Sequence, residues 1–112
     1  EKRVDNLIIH TIEELELSIK FNYNISRYLW LQNNVEDALN KISETIRLCK
    51  RYRSNYLLAD LYLLLGNASA SFGNIDEVRD YYTKAKFLYN LDGNQEMCLK
   101  VEHYLAEKLM SN

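Results

Sequence analysis

Two copies of one helix-starting device, set 40 residues apart, constrain this chain more than anything in its composition. Asn33-Asn34-Val35-Glu36-Asp37-Ala38 and Gly73-Asn74-Ile75-Asp76-Glu77-Val78 have the same pattern. In each, an Asn is placed to cap a helix, and the acid three residues later can reach back to the cap while lying at the positive end of the helix dipole. Helices are therefore expected to begin near positions 35 and 75, and the chain is expected to repeat with a period of 40. After each cap the apolar residues fall on one helical stripe: Val35, Ala38, Leu39, Ile42, Ile46 and Cys49 in the first, and Ile75, Val78, Tyr81, Tyr82, Ala85, Leu88 and Tyr89 in the second. A longer, more apolar stretch precedes each cap, at about 15–32 and 55–72. The same spacing returns from Asn94 to Met110, and residues 2–12 read as the remnant of an earlier helix.

The expectation is an all-α chain of six helices joined by short turns, each antiparallel to its neighbours and stacked as helical hairpins. Its parts would be a remnant helix at 1–12, one repeat at 15–51, a second at 54–90 and a capping helix at 94–110. Composition agrees, since a chain of 112 residues with no proline and three glycines has little use for hairpin turns and no phosphate loop. No apolar run reaches the roughly 20 residues that span a bilayer. The start at Glu1-Lys2-Arg3, without a Met or an apolar signal, reads as a cytoplasmic piece cut from a longer chain or stripped of its first residues. The formal net charge of -2 argues against a general nucleic-acid surface; only residues 19–58 carry a basic excess.

The stretch from Ala59 to Asn90 resembles the tetratricopeptide repeat. Tyr62, Leu65 and Gly66 fill its bulky-Leu-Gly signature, Gly73-Asn74 its turn, and Val78, Tyr82 and Ala85 its second-helix signature. Residues 19–50 match with Ile25 and Ser26 in place of Leu-Gly and with Ala38 and Thr45 as the small pair. In the last helix Leu105, Ala106 and Leu109 take the corresponding places. The physical content is close packing: Gly66 lets the paired helix approach, Val78 and Ala85 keep the facing surface small, and Tyr62 and Tyr82 fill the gap. The period of 40 exceeds the roughly 34 residues of the common repeat, so the helices are longer.

Such long repeats resemble those of the Gram-positive peptide-pheromone receptors, the group of the Rap, Rgg, NprR and PlcR proteins, and most nearly the C-terminal half of the PlcR-type activators. The likeness rests on Lys20-Phe21-Asn22-Tyr23-Asn24, Ile46-Arg47-Leu48-Cys49, Leu61-Tyr62 with Gly66, and Tyr82-Thr83-Lys84-Ala85. It implies a right-handed superhelix whose concave groove holds a short signalling peptide. It also implies that the peptide changes the array's curvature and so moves an attached N-terminal helix-turn-helix domain, through which alone DNA would be bound. A homodimer is a further implied partner state; no membrane partner and no cofactor are implied.

Projected onto such an array, the groove receives Lys20, Tyr23, Asn24, Arg27, Trp30 and Leu31 from one helix and Asp60, Leu63, Leu64, Asn67, Ala70 and Ser71 from the next. The last helix adds Lys100, His103, Tyr104 and Glu107. Asn24 stands out, because Asn is a poor helix-interior residue whose amide can both donate to and accept from an extended peptide backbone. Resemblance places a peptide-holding asparagine there. Arg27, one turn on, can pair a peptide carboxylate through two prongs. Trp30 is either an apolar wall for an anchor side chain or a core residue.

Chemistry of other kinds finds no support in the spacing. Cys98 and His103 are about 140° apart on a helix, His10 and Cys49 show no metal spacing, and no nucleophile, base and orienting acid are arranged together. The basic run Arg47, Lys50, Arg51 and Arg53 lies at a helix C-terminus, where the dipole favours cations. The chain is not expected to be an enzyme. The alternative to peptide sensing is a scaffold that grips a partner protein's tail or helix. A carboxylate-clamp version is disfavoured by Asp60 and Leu64 standing where clamp cations belong.

Overall fold

The computed structural model describes the backbone of residues 2–110 and the side chains of residues 11–107. Five α-helices and one 3-10 turn run in the order α1 (Lys2–Leu31), α2 (Val35–Arg51), α3 (Leu58–Ser69), a 3-10 turn (Ala70–Phe72), α4 (Ile75–Leu91) and α5 (Gln95–Met110). Each helix packs on the next in sequence. With such short connections, consecutive helices are antiparallel neighbours. The result is two helical hairpins, α1–α2 and α3–α4, closed by α5, in an array of 60 × 31 × 19 Å. This is the tetratricopeptide-like all-α architecture that the repeat implies.

The helix count is corrected at the N-terminus. The remnant helix expected at 1–12 does not stand apart from the helix expected at 15–32, because α1 runs unbroken from Lys2 to Leu31. The reason is local: the segment Thr11-Ile12-Glu13-Glu14 contains no glycine, proline or capping Asn that would end a turn. His10 and Leu109 lie outside the residues whose side chains are described. At the other expected boundary α3 begins at Leu58, since Leu57 adopts a left-handed conformation at φ 57°.

The turns carry a shared geometry. At three helix ends the residue after the last turn adopts a left-handed φ: Asn33 at 63°, Arg53 at 53° and Gly93 at 73°. Each is clasped by the same two backbone bonds, as in Asn33 N–H to Trp30 O at 2.9 Å and Asn34 N–H to Leu29 O at 2.9 Å. This pairing satisfies carbonyls that the helix end would otherwise orphan. The next residue can then open the following helix. Asn74 caps α4 by accepting from the Glu77 N–H at 3.2 Å, and Asn94 accepts from the Met97 N–H at 3.2 Å. Asn34 makes no such side-chain bond, so the expected cap of α2 is not formed there.

A single core runs through both hairpins, from Ile19 through Ile42, Ile46 and Cys49 to Leu61, Leu65, Val78, Tyr82 and Val101. Gly66 is its tightest point. A Cβ there would stand 2.5 Å from Tyr82 Cε1 and 2.6 Å from Cδ1, so only glycine lets the fully buried Tyr82 ring seat. Forty residues earlier the corresponding pair is Ser26 and Ile42, both fully buried, with a slightly larger residue on one helix and a smaller one on the other. Cys49 and Cys98 are buried free thiols within this core.

Candidate functional site

Helices α1 and α3 are the first members of the two hairpins, α5 follows in the corresponding place after the second, and the three come together on one side of the array. A cleft of about 250 Å³ forms there. From α1 come Tyr23, Arg27 and Trp30, spaced by four and three so that they share one stripe. Asp60, Leu63, Leu64 and Asn67 follow the same rule on α3, and Met97, Lys100 and Tyr104 on α5. No residue of α2 or α4 lines it.

Those helices act on the cleft from behind, through two tyrosine hydroxyls. Tyr82 of α4 donates to Asn67 Oδ1 at 2.6 Å, and Tyr89 of α4 donates to Asp60 Oδ1. Both rings are buried, and burial is the first cause that pushes both phenols up, Tyr82 to about 12. For Tyr89 the hydrogen bond to Asp60 adds to this. Protonated hydroxyls thus hold the two polar groups of α3 in place. With one lone pair of the Asn67 carbonyl oxygen taken by Tyr82, its NH2 remains a donor for a ligand.

Electrostatically the cleft is mixed. Tyr23 has its pKa raised by burial and by Asp60, with Arg27 acting in the opposite sense. The Arg27 guanidinium lies 5.9 Å from the Tyr23 ring centroid, near the distance of a cation–π contact. Lys100 supplies a second cation from α5. Apolar wall comes from half-buried Trp30, Leu63 and Met97 and from Leu64, which is only 5% exposed. The surface therefore presents two cations, the Asp60 carboxylate, an amide donor and a carbon-lined floor within one concavity. That set can hold a short chain carrying a carboxylate and an apolar side chain; it contains no group poised as a nucleophile.

Of the residues projected from the sequence, Tyr23, Arg27, Trp30, Asp60, Leu63, Leu64 and Asn67 are brought together, as are Lys100 and Tyr104. Seven others, Lys20, Asn24, Leu31, Ala70, Ser71, His103 and Glu107, are not among the lining residues. Lys20, one turn before Tyr23, borders a separate hollow with Glu13, Glu16, Leu17 and Tyr56. His103 is 72% exposed and pairs with Glu107 at 3.2 Å, because Lys100 and Tyr104 occupy the cleft-facing stripe of α5. Leu31 is 66% exposed, one residue past the Trp30 that faces inward. Asn24 is exposed as well. It lies on another stripe of α1, formed at seven-residue spacing by Leu17, Phe21, Asn24, Tyr28 and Leu31, whose four apolar members are all largely exposed. Met97 was missed by the sequence reading; its place three residues before Lys100 on the α5 stripe is the signal that would have found it.

Among the described residues no group of His, Cys, Asp and Glu is placed to hold a metal ion, and no helix is long and apolar enough to cross a membrane. No curated protein and no solved structure gives a significant match. Residues 4–105, nearly the whole chain, match the family model described as the RNPP family C-terminal domain. The repeat, the paired helices and this match agree, and the chain belongs to that family of regulatory helical-repeat domains.

Proposed function

We propose that this domain senses a short peptide, which lies in the cleft between α1, α3 and α5. One observation carries the reading: three helices that are far apart in sequence converge two cations, an amide and an apolar floor, while Tyr82 and Tyr89 hold Asn67 and Asp60 from behind. Arg27 and Lys100 would take a carboxylate, the Asn67 NH2 a backbone carbonyl, and Trp30 with Leu63 and Met97 an apolar side chain. Lys20, Asn24, Leu31 and His103 would touch only a ligand that extends beyond the cleft.

The rest of the proposal follows from the resemblance to the PlcR-type activators: a cytoplasmic regulator in which peptide binding repositions an N-terminal DNA-binding domain, working as a homodimer. Such a switch requires the peptide to bind one curvature of the array more tightly than the other. A scaffold that binds a partner protein's tail is the second reading. It is favoured by the mixed charge of the cleft, which would also suit a chain terminus.

Calorimetric titration with short synthetic peptides that end in a free carboxylate tests the proposal. Arg27→Ala should weaken binding about tenfold or more, the cost of a lost charge-assisted pair of about 1.5 to 3 kcal/mol. A C-terminally amidated peptide should lose at least that much with the native chain and less with the variant, in which only Lys100 still meets the carboxylate. Equal affinity of native and variant chains would remove the cleft from the binding event.

A further inference from the structure

On the far side of α3 from the cleft, Leu58 and Tyr62 join Thr83, Lys84, Phe87 and Leu88 of α4 around a hollow of about 440 Å³. At 100° per residue these two α3 positions lie opposite the stripe that faces the cleft. The hollow is walled almost wholly by carbon, and Phe87 stands 61% exposed at its mouth. None of this serves the cleft.

Cations gather at its rim. The Lys50 ammonium lies 5.9 Å from the Tyr62 ring centroid and that of Lys84 lies 5.6 Å from it, reaching the ring from α2 and from α4. Lys84 is paired with Asp80 at 3.1 Å. Among the described residues no carboxylate lies within ion-pair distance of Lys50, nor of Arg47, Arg51 or Arg53. Lys50 also borders a second hollow of about 690 Å³, which Arg47 and Arg51 share with Asn22, Leu48 and Glu44. The dipole at the end of α2 accounts for cations being there. It does not account for an apolar hollow opening beside them.

We propose that this outer face docks an acidic segment of a partner protein. One apolar side chain enters between Leu58, Phe87 and Leu88, and flanking carboxylates meet Lys50, Arg47 and Arg51. Charge complementarity selects this occupant. A nucleic acid would use the cations and leave the carbon-lined hollow empty, whereas a neutral apolar segment would fill the hollow and leave the cations unanswered. The surface does not depend on peptide sensing by the cleft.

The test is a heteronuclear NMR titration of the full 112-residue chain with a short capped synthetic peptide of Glu residues flanking one Leu-Phe pair. Saturable shifts are expected at Lys50, Leu58, Tyr62 and Phe87, with Trp30 and Leu63 of the cleft unmoved. Phe87→Ser and Lys50→Glu should each weaken binding at least tenfold. Both positions are exposed, so both variants should stay folded, Lys50→Glu with a slightly lower melt because it reverses a charge in the last turn of α2. A peptide with Gly-Ser in place of Leu-Phe, or with Lys in place of Glu, should fail to bind. The proposal is overturned by unshifted hollow resonances, by equal binding of either altered peptide, or by shifts confined to Trp30 and Leu63. It is also overturned if a single-stranded oligonucleotide moves the same residues as strongly, or if those residues shift with protein concentration alone, which would make the face a contact between copies.

Discussion

Gly66 and Tyr82 show how far a single position can be read from sequence. The repeat register requires a small residue at Gly66 because a paired helix crosses there, and the structure supplies the ring that fills the space, 2.5 Å from where a Cβ would sit. Gly66→Ala therefore sets two effects against each other. Alanine is the better helix former by about 1 kcal/mol, but the Tyr82 ring is fully buried and bonded to Asn67, and it cannot retreat freely. The clash should win, with a net loss of about 1 to 3 kcal/mol. Denaturant titration checks this, and a variant as stable as the native chain would mean that the helices do not cross closely. Asn24 was less legible. Its spacing from Arg27 is compatible with either of two neighbouring stripes on α1, and only the placement of α3 and α5 decides that the cleft falls on the Tyr23 side.

Tyr82 also links the site to alkaline stability. Its pKa is pushed up to about 12, first by burial, from an unfolded value near 10. The native state thus keeps a proton that the unfolded chain releases, so the associated stability is complete below pH 10 and is lost as pH rises through the folded value of about 12. Tyr89 shifts in the same direction. Melting temperature should fall steadily above pH 10, and Tyr82→Phe, although less stable at neutral pH, should show a shallower fall. Parallel pH profiles of the two chains would contradict this.

Among the elements, helix types were accessible from apolar spacing and the starts of α2 and α4 from the Asn-and-acid pattern, while the ends depended on backbone angles that neither reports. Asn33, Arg53 and Gly93 do one job with three side chains, because the clasp at each helix end is made by backbone atoms. The clasp does not decide the side-chain cap, since Asn94 caps α5 after the same clasp that leaves Asn34 without a cap bond to α2. It also separates two reasons for a glycine. At Gly93 nothing lies within 4 Å of an added Cβ, yet φ is 73°, so Gly93→Ala should cost about 1 kcal/mol through angle alone. Loss of stability there, measured by thermal melts beside Gly66→Ala, would place the cost in the backbone. An unaffected Gly93→Ala would show that the turn between α4 and α5 relaxes to another geometry.

At the scale of the whole molecule, the period of 40 brings the first helices of the hairpins onto one side and so assembles the cleft from α1, α3 and α5. Nine of the sixteen groove positions expected from the sequence line it. The seven that do not, Lys20, Asn24, Leu31, Ala70, Ser71, His103 and Glu107, are a turn or one residue away from the lining stripe, which is the resolution at which a helical projection fails when the neighbouring helices are not in view. The continuous α1 failed to appear in the reading for the opposite reason: a remnant helix was expected by analogy between repeats, and the local sequence contains nothing to break it.

Trp30 gives the most direct measurement of the central claim, because it is the only tryptophan and it lines the cleft. Emission of the native chain, titrated with short peptides bearing a free C-terminal carboxylate, should shift with saturation, and Arg27→Ala should move the midpoint at least tenfold while Phe87→Ser leaves it unchanged. Trp30 emission that stays constant while calorimetry records binding would place the peptide elsewhere on the array, and the assignment of the cleft would be wrong.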